Sequence, residues 1–317
     1  MSDLYDVIVI GAGPGGMTAA IYAKRAELKV LLIERNYMGG GQIMNTYEID
    51  NYPGLPGLSG MELATKFSEH VDKLKVERVN TEVLSVKLDG AVKTVRTEDG
   101  DYEARTVILA TGNSASKLNV PGEDELTGMG VSYCATCDGA FFKNRTVAVV
   151  GGGDVAVEDA IFLARGCAKV YVVHRRDELR ATKSLQSALF ACDNVEFIWA
   201  SVIEEIAGED MVEKVIVKNV KTGDASELSV NGVFIAVGNV PNSTYITGTT
   251  DADEAGETVL LLDNKGYIVA GEDCATNIPG VFAVGDVRTK LLRQVSTAVA
   301  DGANAVYSVE RYLVSHM

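Results

Sequence analysis

A chain of 317 residues has a prior of about two domains at roughly 150 residues each. Hydrophobic residues at 47% and charged residues at 23% exclude a disordered chain, and 32 glycines with only 6 prolines ask for many tight backbone turns. The 44 acidic residues outnumber 29 basic ones and leave a formal charge of −15, so the overall field repels nucleic acid and anionic membranes, and any anionic ligand must be held by local positive groups.

No apolar run reaches the roughly 18 residues of a bilayer span. The N-terminus runs straight into Tyr5-Asp6-Val7-Ile8-Val9-Ile10, which reads as a strand and not as a targeting segment. The expected location is cytoplasmic. A glycine turn follows, then an alanine-rich helix over residues 17–27 and a second strand over 30–33 that ends at Glu34, a βαβ pattern. Leu63, Phe67, Val71 and Leu74 fall on one helix face. Residues 76–110 read as short strands with turns at Asp89-Gly90 and Asp99-Gly100, closing in a buried run and Thr111-Gly112.

The plan then repeats. Residues 146–150 form a strand, residues 151–153 a glycine turn, a helix runs to about 165, and a strand covers 169–173. Short strands follow near 195–199, 202–206, 213–219 and 232–237, ending in Phe234-Ile235-Ala236-Val237-Gly238, an echo of Ile108-Leu109-Ala110-Thr111-Gly112. The last 70 or so residues carry a strand at 281–284, then Gly285-Asp286 and a helix over 294–313. The expected fold class is α/β, with two Rossmann-like dinucleotide-binding domains and the second inserted into the first. Residues 1–115 and 246–317 would form the first and 116–245 the second, with crossings near 112–120 and 238–247 as candidate hinges.

The first turn, Gly11-Ala12-Gly13-Pro14-Gly15-Gly16, matches G-x-G-x-x-G between strand and helix. Its glycines permit a tight turn, backbone approach to a pyrophosphate and close helix–strand packing, while the helix N-terminus supplies donors. The second, Gly151-Gly152-Gly153-Asp154-Val155-Ala156, is the same motif ending in alanine. One match is weak; two in the same context leave little room for a merely structural turn. Glu34 lies 23 residues after Gly11, where a carboxylate accepts ribose hydroxyls and repels a 2′-phosphate. His174 lies 23 residues after Gly151, but Arg175, Arg176 and Arg180 follow it. Arginine forks suit phosphate oxygens, so this cluster points to NADP, against the alternative of a solvated basic turn. The first site then takes a dinucleotide without a 2′-phosphate, and FAD is favoured over NAD because a second nicotinamide has no clear use. Asp286 would sit near the ribityl chain, and the helix from Gln294 would face the flavin with its positive end.

Five cysteines do not make a disulfide scaffold. Cys167, Cys192 and Cys274 are isolated and read as core or near-core residues. Cys134 and Cys137 are spaced C-x-x-C. Zinc needs four ligands, there is no second pair, and His70, His174 and His316 are scattered, so no metal is expected. A redox dithiol fits better. Asp138 beside it has the chemistry of a proton donor or acceptor, with a turn or capping aspartate as the alternative.

C-A-T-C-D-G, together with G-A-G-P-G-G, G-G-G-D-V-A-V-E-D-A, H-R-R-D-E-L-R-A and G-D-V-R-T-K-L-L-R-Q, resembles the low-molecular-weight thioredoxin reductases of prokaryotic type, in their order and over essentially the whole chain. The resemblance implies a homodimeric flavoprotein passing electrons from NADPH to FAD, to the cysteine pair and to the disulfide of thioredoxin. Cys137 would receive electrons from the flavin, Cys134 would attack thioredoxin, and Asp138 would handle the proton. Gly40, Gly41, Gln42 and Asn51 match the flavin-contacting segment, and Arg293 and Gln294 the tail contact. Gly112 and Gly285 are placed with them. Gly238, Pro241 and Asn242 match the second domain's closing motif. The family also moves between two domain orientations. Val155 stands where relatives usually carry a small hydroxyl residue, and Asn239 where histidine is common. Those departures leave open a weaker nicotinamide affinity or another donor such as ferredoxin.

Four other readings compete. Another thioredoxin-like acceptor would use the same chemistry. The alkyl hydroperoxide reductase flavoprotein carries a long N-terminal extension, which ten residues before Gly11 do not supply. A ferredoxin–NADP reductase of similar layout lacks the cysteine pair. From another class, a flavoprotein redox sensor would keep the dithiol without turnover.

Overall fold

Val7, Ile8, Val9 and Ile10 are all buried, so β1 (Tyr5–Ile10) carries apolar side chains on both faces and belongs inside a sheet. The computed structural model describes residues 4–46, 49, 51–243 and 259–316. Its contacts divide into two units: Met1–Met44, Tyr52–Ser114 and Val240–Met317 form one, Asn45–Asn51 and Ala115–Asn239 the other. The acidic stretch 251–257 and the expected boundary at 246 lie outside the described residues.

In the first unit, β1 leads into α1 (Pro14–Arg25), β2 (Val30–Glu34), α2 (Gly60–Lys73), β3 (Glu77–Asn80) and the strands β4 (Val83–Lys87), β5 (Lys93–Thr97) and β6 (Gly100–Leu109). Strands β3, β2, β1 and β6 lie side by side in parallel. The first half of β6 pairs antiparallel with β5, so one ten-residue strand serves both a parallel core and a meander. Helix α1 starts at Pro14 and ends at Arg25, not over 17–27. Proline's fixed φ suits the first helical position, and Glu27 turns left-handed at φ 61°. Helix α2 opens on a capping box between Ser59 and Glu62 and buries Leu63 and Val71, with Phe67 and Leu74 packed at the edge of the core.

The short strand β7 (Asn113–Ala115) leaves this unit. The second unit runs β8 (Val131–Ser132), α3 (Ala135–Asp138), β9 (Thr146–Val150), α4 (Asp154–Ala164), β10 (Lys169–Val173), α5 (Lys183–Phe190) and β11 (Val195–Ile198). Strands β12 (Ser201–Ala207), β13 (Lys214–Asn219) and β14 (Ala225–Ser229) form a separate antiparallel sheet, and β15 (Gly232–Ile235) returns to the first. The parallel order is β11-β10-β9-β15-β8. The sequence reading misses β14, because Ala225–Ser229 is mostly exposed and has no apolar alternation.

Strand β16 (Asn239–Pro241) pairs with β7. In the first unit β17 (Val281–Ala283) then adds in parallel to β6, and α6 (Val295–Ser315) closes the chain. A Cβ at Gly302 of α6 would overlap the Gly15 carbonyl oxygen and stand 2.9 Å from the Ala19 nitrogen, so α6 crosses α1 at backbone contact. The architecture is α/β with two parallel-sheet units, each opened by a strand, a glycine turn and a helix.

Candidate active site

Strand β8 ends at Ser132, and two residues later Cys134 becomes the N-cap of the one-turn helix α3. One helical turn brings Cys134 and Cys137 to a Cα separation of 5.3 Å, and they are joined as a disulfide. The N–H groups of Cys137 and Asp138 both donate to the Cys134 carbonyl, at 3.2 and 3.1 Å. The Ser132 hydroxyl lies 2.6 Å from Asp138 Oδ2, to which it donates, and it accepts the Cys134 N–H at 3.1 Å. Asp138 Oδ1 is buried and has no hydrogen-bond partner among the described residues. Burial pushes the Asp138 carboxyl up to about 6, against the opposing pull of the Ser132 bond. A carboxyl there changes protonation near neutral pH, next to the only disulfide among the described residues.

The other cysteines lack that setting. Burial pushes Cys167 up to about 11 and, with the Asp301 carboxylate adding to it, Cys274 to about 12, so neither is a ready thiolate. Cys192 is half-buried with its thiol on the Ala188 carbonyl. No group of three His, Cys, Asp or Glu among the described residues is arranged to hold a metal ion.

In the first unit the Gly11 turn is a cradle. Gly11 sits at φ 104°, and a Cβ there would stand 2.5 Å from the Ala110 carbonyl oxygen. Gly13 caps α1 without a side chain, and nothing described lies within 4 Å of where its Cβ would be. The first-turn N–H groups of this 12-residue helix therefore face open space with partial positive charge, the requirement of a pyrophosphate. Glu34, at the end of β2, accepts the N–H groups of Ala12 at 2.8 Å and Asn36 at 2.9 Å, one on each oxygen. Each oxygen keeps a lone pair for a ribose hydroxyl. The Gly40 N–H donates to the Ala12 carbonyl at 2.7 Å and folds the 39–41 segment against the turn. Gln42 donates to the Asn113 side-chain oxygen at 2.6 Å and to its carbonyl. The Gly112 carbonyl accepts the Asn242 N–H at 3.0 Å.

Asp286 follows β17 with Oδ1 buried and unpartnered among the described residues, and burial raises its pKa. Arg293 packs its guanidinium 4.0 Å from the centre of the Tyr267 ring, and Gln294 is the N-cap of α6. An open amide cradle, a carboxylate at a strand end and an orphaned buried carboxylate oxygen fit a dinucleotide with a polyhydroxyl chain. Asn51 is exposed, in the Asn45–Asn51 segment that belongs to the second unit.

The second unit repeats the cradle. Gly151 takes φ 149°, Gly153 caps α4 without a side chain, and its Cβ position is equally open. His174 directly follows β10, at the offset where Glu34 ends β2, but its ring is buried against Gly152, where any Cβ would overlap it. Burial and the nearby Arg180, Arg176 and Arg175 hold its pKa down, so it stays neutral. The three guanidinium groups are exposed, and none has an ion-pair partner among the described residues. The Arg180 N–H donates to the Gly152 carbonyl at 2.7 Å, which ties the arginine loop to the glycine turn. Asp154 accepts the Thr182 N–H at 2.7 Å. Ala156 is buried, and Val155 is 57% exposed. Gly238 accepts the Ser116 N–H at 2.9 Å.

Sequence reasoning misses three contributors. Ser132 carries no motif. Glu123 is buried and accepts the N–H groups of Leu118 and Asn119 and the hydroxyl of Tyr133, beside Cys134. Asp301 does leave a signal, an acid on the buried face that Ala298, Ala305 and Val309 define in α6.

Residues 5–302 match the family model described as pyridine nucleotide-disulphide oxidoreductase. The chain is 44% identical over 320 residues to the thioredoxin reductase of Peptoclostridium acidaminophilum, covering 99% of this chain and 98% of the relative. Among solved structures, the thioredoxin reductase of Streptococcus pyogenes matches with a TM-score of 0.90 at 49% identity, over 99% of this chain and 100% of that one. A ferredoxin-flavin thioredoxin reductase of Clostridium acetobutylicum matches with a TM-score of 0.53 at 30% identity, over 99% of each chain.

Proposed function

This chain belongs to the pyridine nucleotide-disulphide oxidoreductase family, and we propose that it is an NADPH-dependent flavoprotein that reduces the disulfide of thioredoxin. The observation that carries this reading is the Cys134–Cys137 disulfide beside Asp138, in a chain with two open dinucleotide cradles. The balance is NADPH plus a proton plus thioredoxin disulfide, giving NADP and thioredoxin dithiol.

FAD, when bound, would supply the two-electron relay between nicotinamide and disulfide. Gly11, Gly13, Pro14, Gly15 and Gly16 would hold its pyrophosphate through the start of α1, and Glu34 its ribose. Gly40, Gly41, Gln42, Asn51, Gly112, Gly285, Asp286, Arg293 and Gln294 would complete its site. In residues 116–245, Gly151, Gly153, Asp154, Val155 and Ala156 would cradle NADPH. Arg175, Arg176 and Arg180 would hold the 2′-phosphate, with His174 as the neutral floor and Gly238 at the edge. Cys137 would take the electron pair and Cys134 would leave as thiolate, with Asp138 handling the proton. Cys134 would then attack one sulfur of thioredoxin, and Cys137 would resolve the mixed disulfide. A cytoplasmic homodimer completes the reading, in keeping with the family resemblance; no described helix is long and apolar enough to cross a membrane.

Ferredoxin as donor is the second reading, favoured by exposed Val155, which offers no hydroxyl to a nucleotide. The exposed arginines, without an ion-pair partner among the described residues, favour NADPH. A coupled assay of one thioredoxin with NADPH, NADH or reduced ferredoxin decides. Turnover with NADPH alone supports the first reading, turnover with ferredoxin alone the second, and flavin reduction without turnover against any thioredoxin-like acceptor makes the protein a sensor.

A further inference from the structure

Four donors converge on one buried carboxylate in α6. Asp301, 4% exposed, accepts through Oδ2 from the Gly285 N–H at 2.9 Å, Arg288 Nε at 2.9 Å and Lys290 Nζ at 2.7 Å, and through Oδ1 from Arg288 Nη2 at 2.6 Å. The side chains of Arg288 and Lys290 are 10% and 6% exposed. Desolvating such a group is costly, and well-packed apolar residues often serve stability as well or better.

What the group surrounds gives it a different purpose. Asp286 lies between Gly285 and Arg288, with Oδ1 buried and unpartnered among the described residues. Asp301 grips the backbone just before it and the cations just after it. The helix that carries Asp301 has no room to shift, because Gly302 presses on Gly15 and Ala19 of α1. A Cβ at Gly15 would in turn stand 3.2 Å from the Ala298 carbonyl and 3.6 Å from the Gly285 nitrogen. The start of α1, the end of β17 and α6 therefore meet at one point.

We propose that Asp301 is a positioning residue for the flavin: it holds the Gly285–Lys290 loop so that Asp286 keeps a free oxygen for the ribityl hydroxyls. This rests on the first unit being the FAD site. Asp301 also satisfies Arg288 and Lys290, which would otherwise be buried cations beside Asp286. Without its charge, Lys290 is free to pair with Asp286 and occupy the oxygen that the ligand needs.

The test follows FAD release from the holoenzyme, read as the rise of free-flavin fluorescence, in the wild type, Asp301→Asn, Asp286→Asn and the double variant. Asp301→Asn should release FAD at least tenfold faster. In the Asp286→Asn background the same change should add less than threefold, because its route of action is gone. A release rate within twofold of the wild type, or an equal effect in both backgrounds, overturns the proposal. If Asp301→Asn does not fold, Lys290→Gln with Asp301→Asn is compared with Lys290→Gln alone: with the competing cation gone, the added change should speed release less than threefold, and a tenfold or greater effect there overturns the proposal. A colourless wild type would sink the flavin reading itself; a flavin-loaded wild type with an insensitive Asp301→Asn sinks only this inference.

Discussion

Ser132 and Asp138 are joined by a 2.6 Å hydrogen bond that bridges the base of the disulfide turn, six residues apart in the chain. The bond draws the Asp138 carboxyl down while burial, the larger effect, raises it to about 6. The balance leaves a group that holds a proton through the mildly acidic range and loses it near neutrality.

Turnover that depends on the Asp138 proton should therefore fall as pH rises through about 6. Asp138→Asn should flatten this limb of the profile and slow the disulfide step. Ser132→Ala should move the inflection upward, since it removes the only named force opposing burial. The sign for stability is the same. A carboxyl whose folded pKa is raised contributes stability fully below its unfolded value of 3.8 and loses it as pH climbs through about 6. Thermal melts at pH 4 and pH 7 should show a larger loss for the wild type than for Asp138→Asn.

The two cysteines should fail differently. Cys134→Ser should keep flavin reduction by NADPH and lose thioredoxin turnover, whereas Cys137→Ser should lose the step from flavin to disulfide. Anaerobic titration with NADPH, followed by a thioredoxin assay, separates them. Full turnover in Cys134→Ser refutes its assigned role.

Arg175 and Arg176 are exposed and unpaired among the described residues, so their loss should leave the fold intact. Substituting both with alanine should raise the KM for NADPH roughly tenfold or more, as expected when charge-assisted phosphate contacts are removed. The KM for NADH should stay within about twofold. Equal losses for both nucleotides would rule out a 2′-phosphate contact.

Two glycine substitutions should part company. Gly302→Ala places a methyl group 2.9 Å from the Ala19 nitrogen, against backbone that cannot yield. Overpacking of this kind costs about 1–3 kcal/mol, so its Tm should drop by several degrees and its flavin should loosen. Gly166→Ala meets nothing described within 4 Å and should melt with the wild type. Differential scanning calorimetry of both holoenzymes checks the contrast.

The two glycine turns, the Cys134–Cys137 pair and the Arg175-Arg176 cluster were legible in the sequence because their chemistry lies in contiguous residues. A tight turn, a one-turn disulfide and a basic cluster each need only near neighbours. The strand–turn–helix plan and its repeat were equally legible, since apolar runs and glycine punctuation are local signals. Mostly exposed β14 was not, because a strand with the single half-buried apolar residue Leu228 has no hydrophobic period to read. Nor were the partners of the polar groups. Asp138 owes its proton affinity to burial and to Ser132, and Asp301 is tied to Gly285, Arg288 and Lys290 from another element. Composition and order in the chain thus determined which chemistry this protein carries. How strongly each carboxylate holds its proton, and which one is left with an oxygen to offer, was decided by tertiary structure, because desolvation and hydrogen bonding depend on segments that only folding brings together.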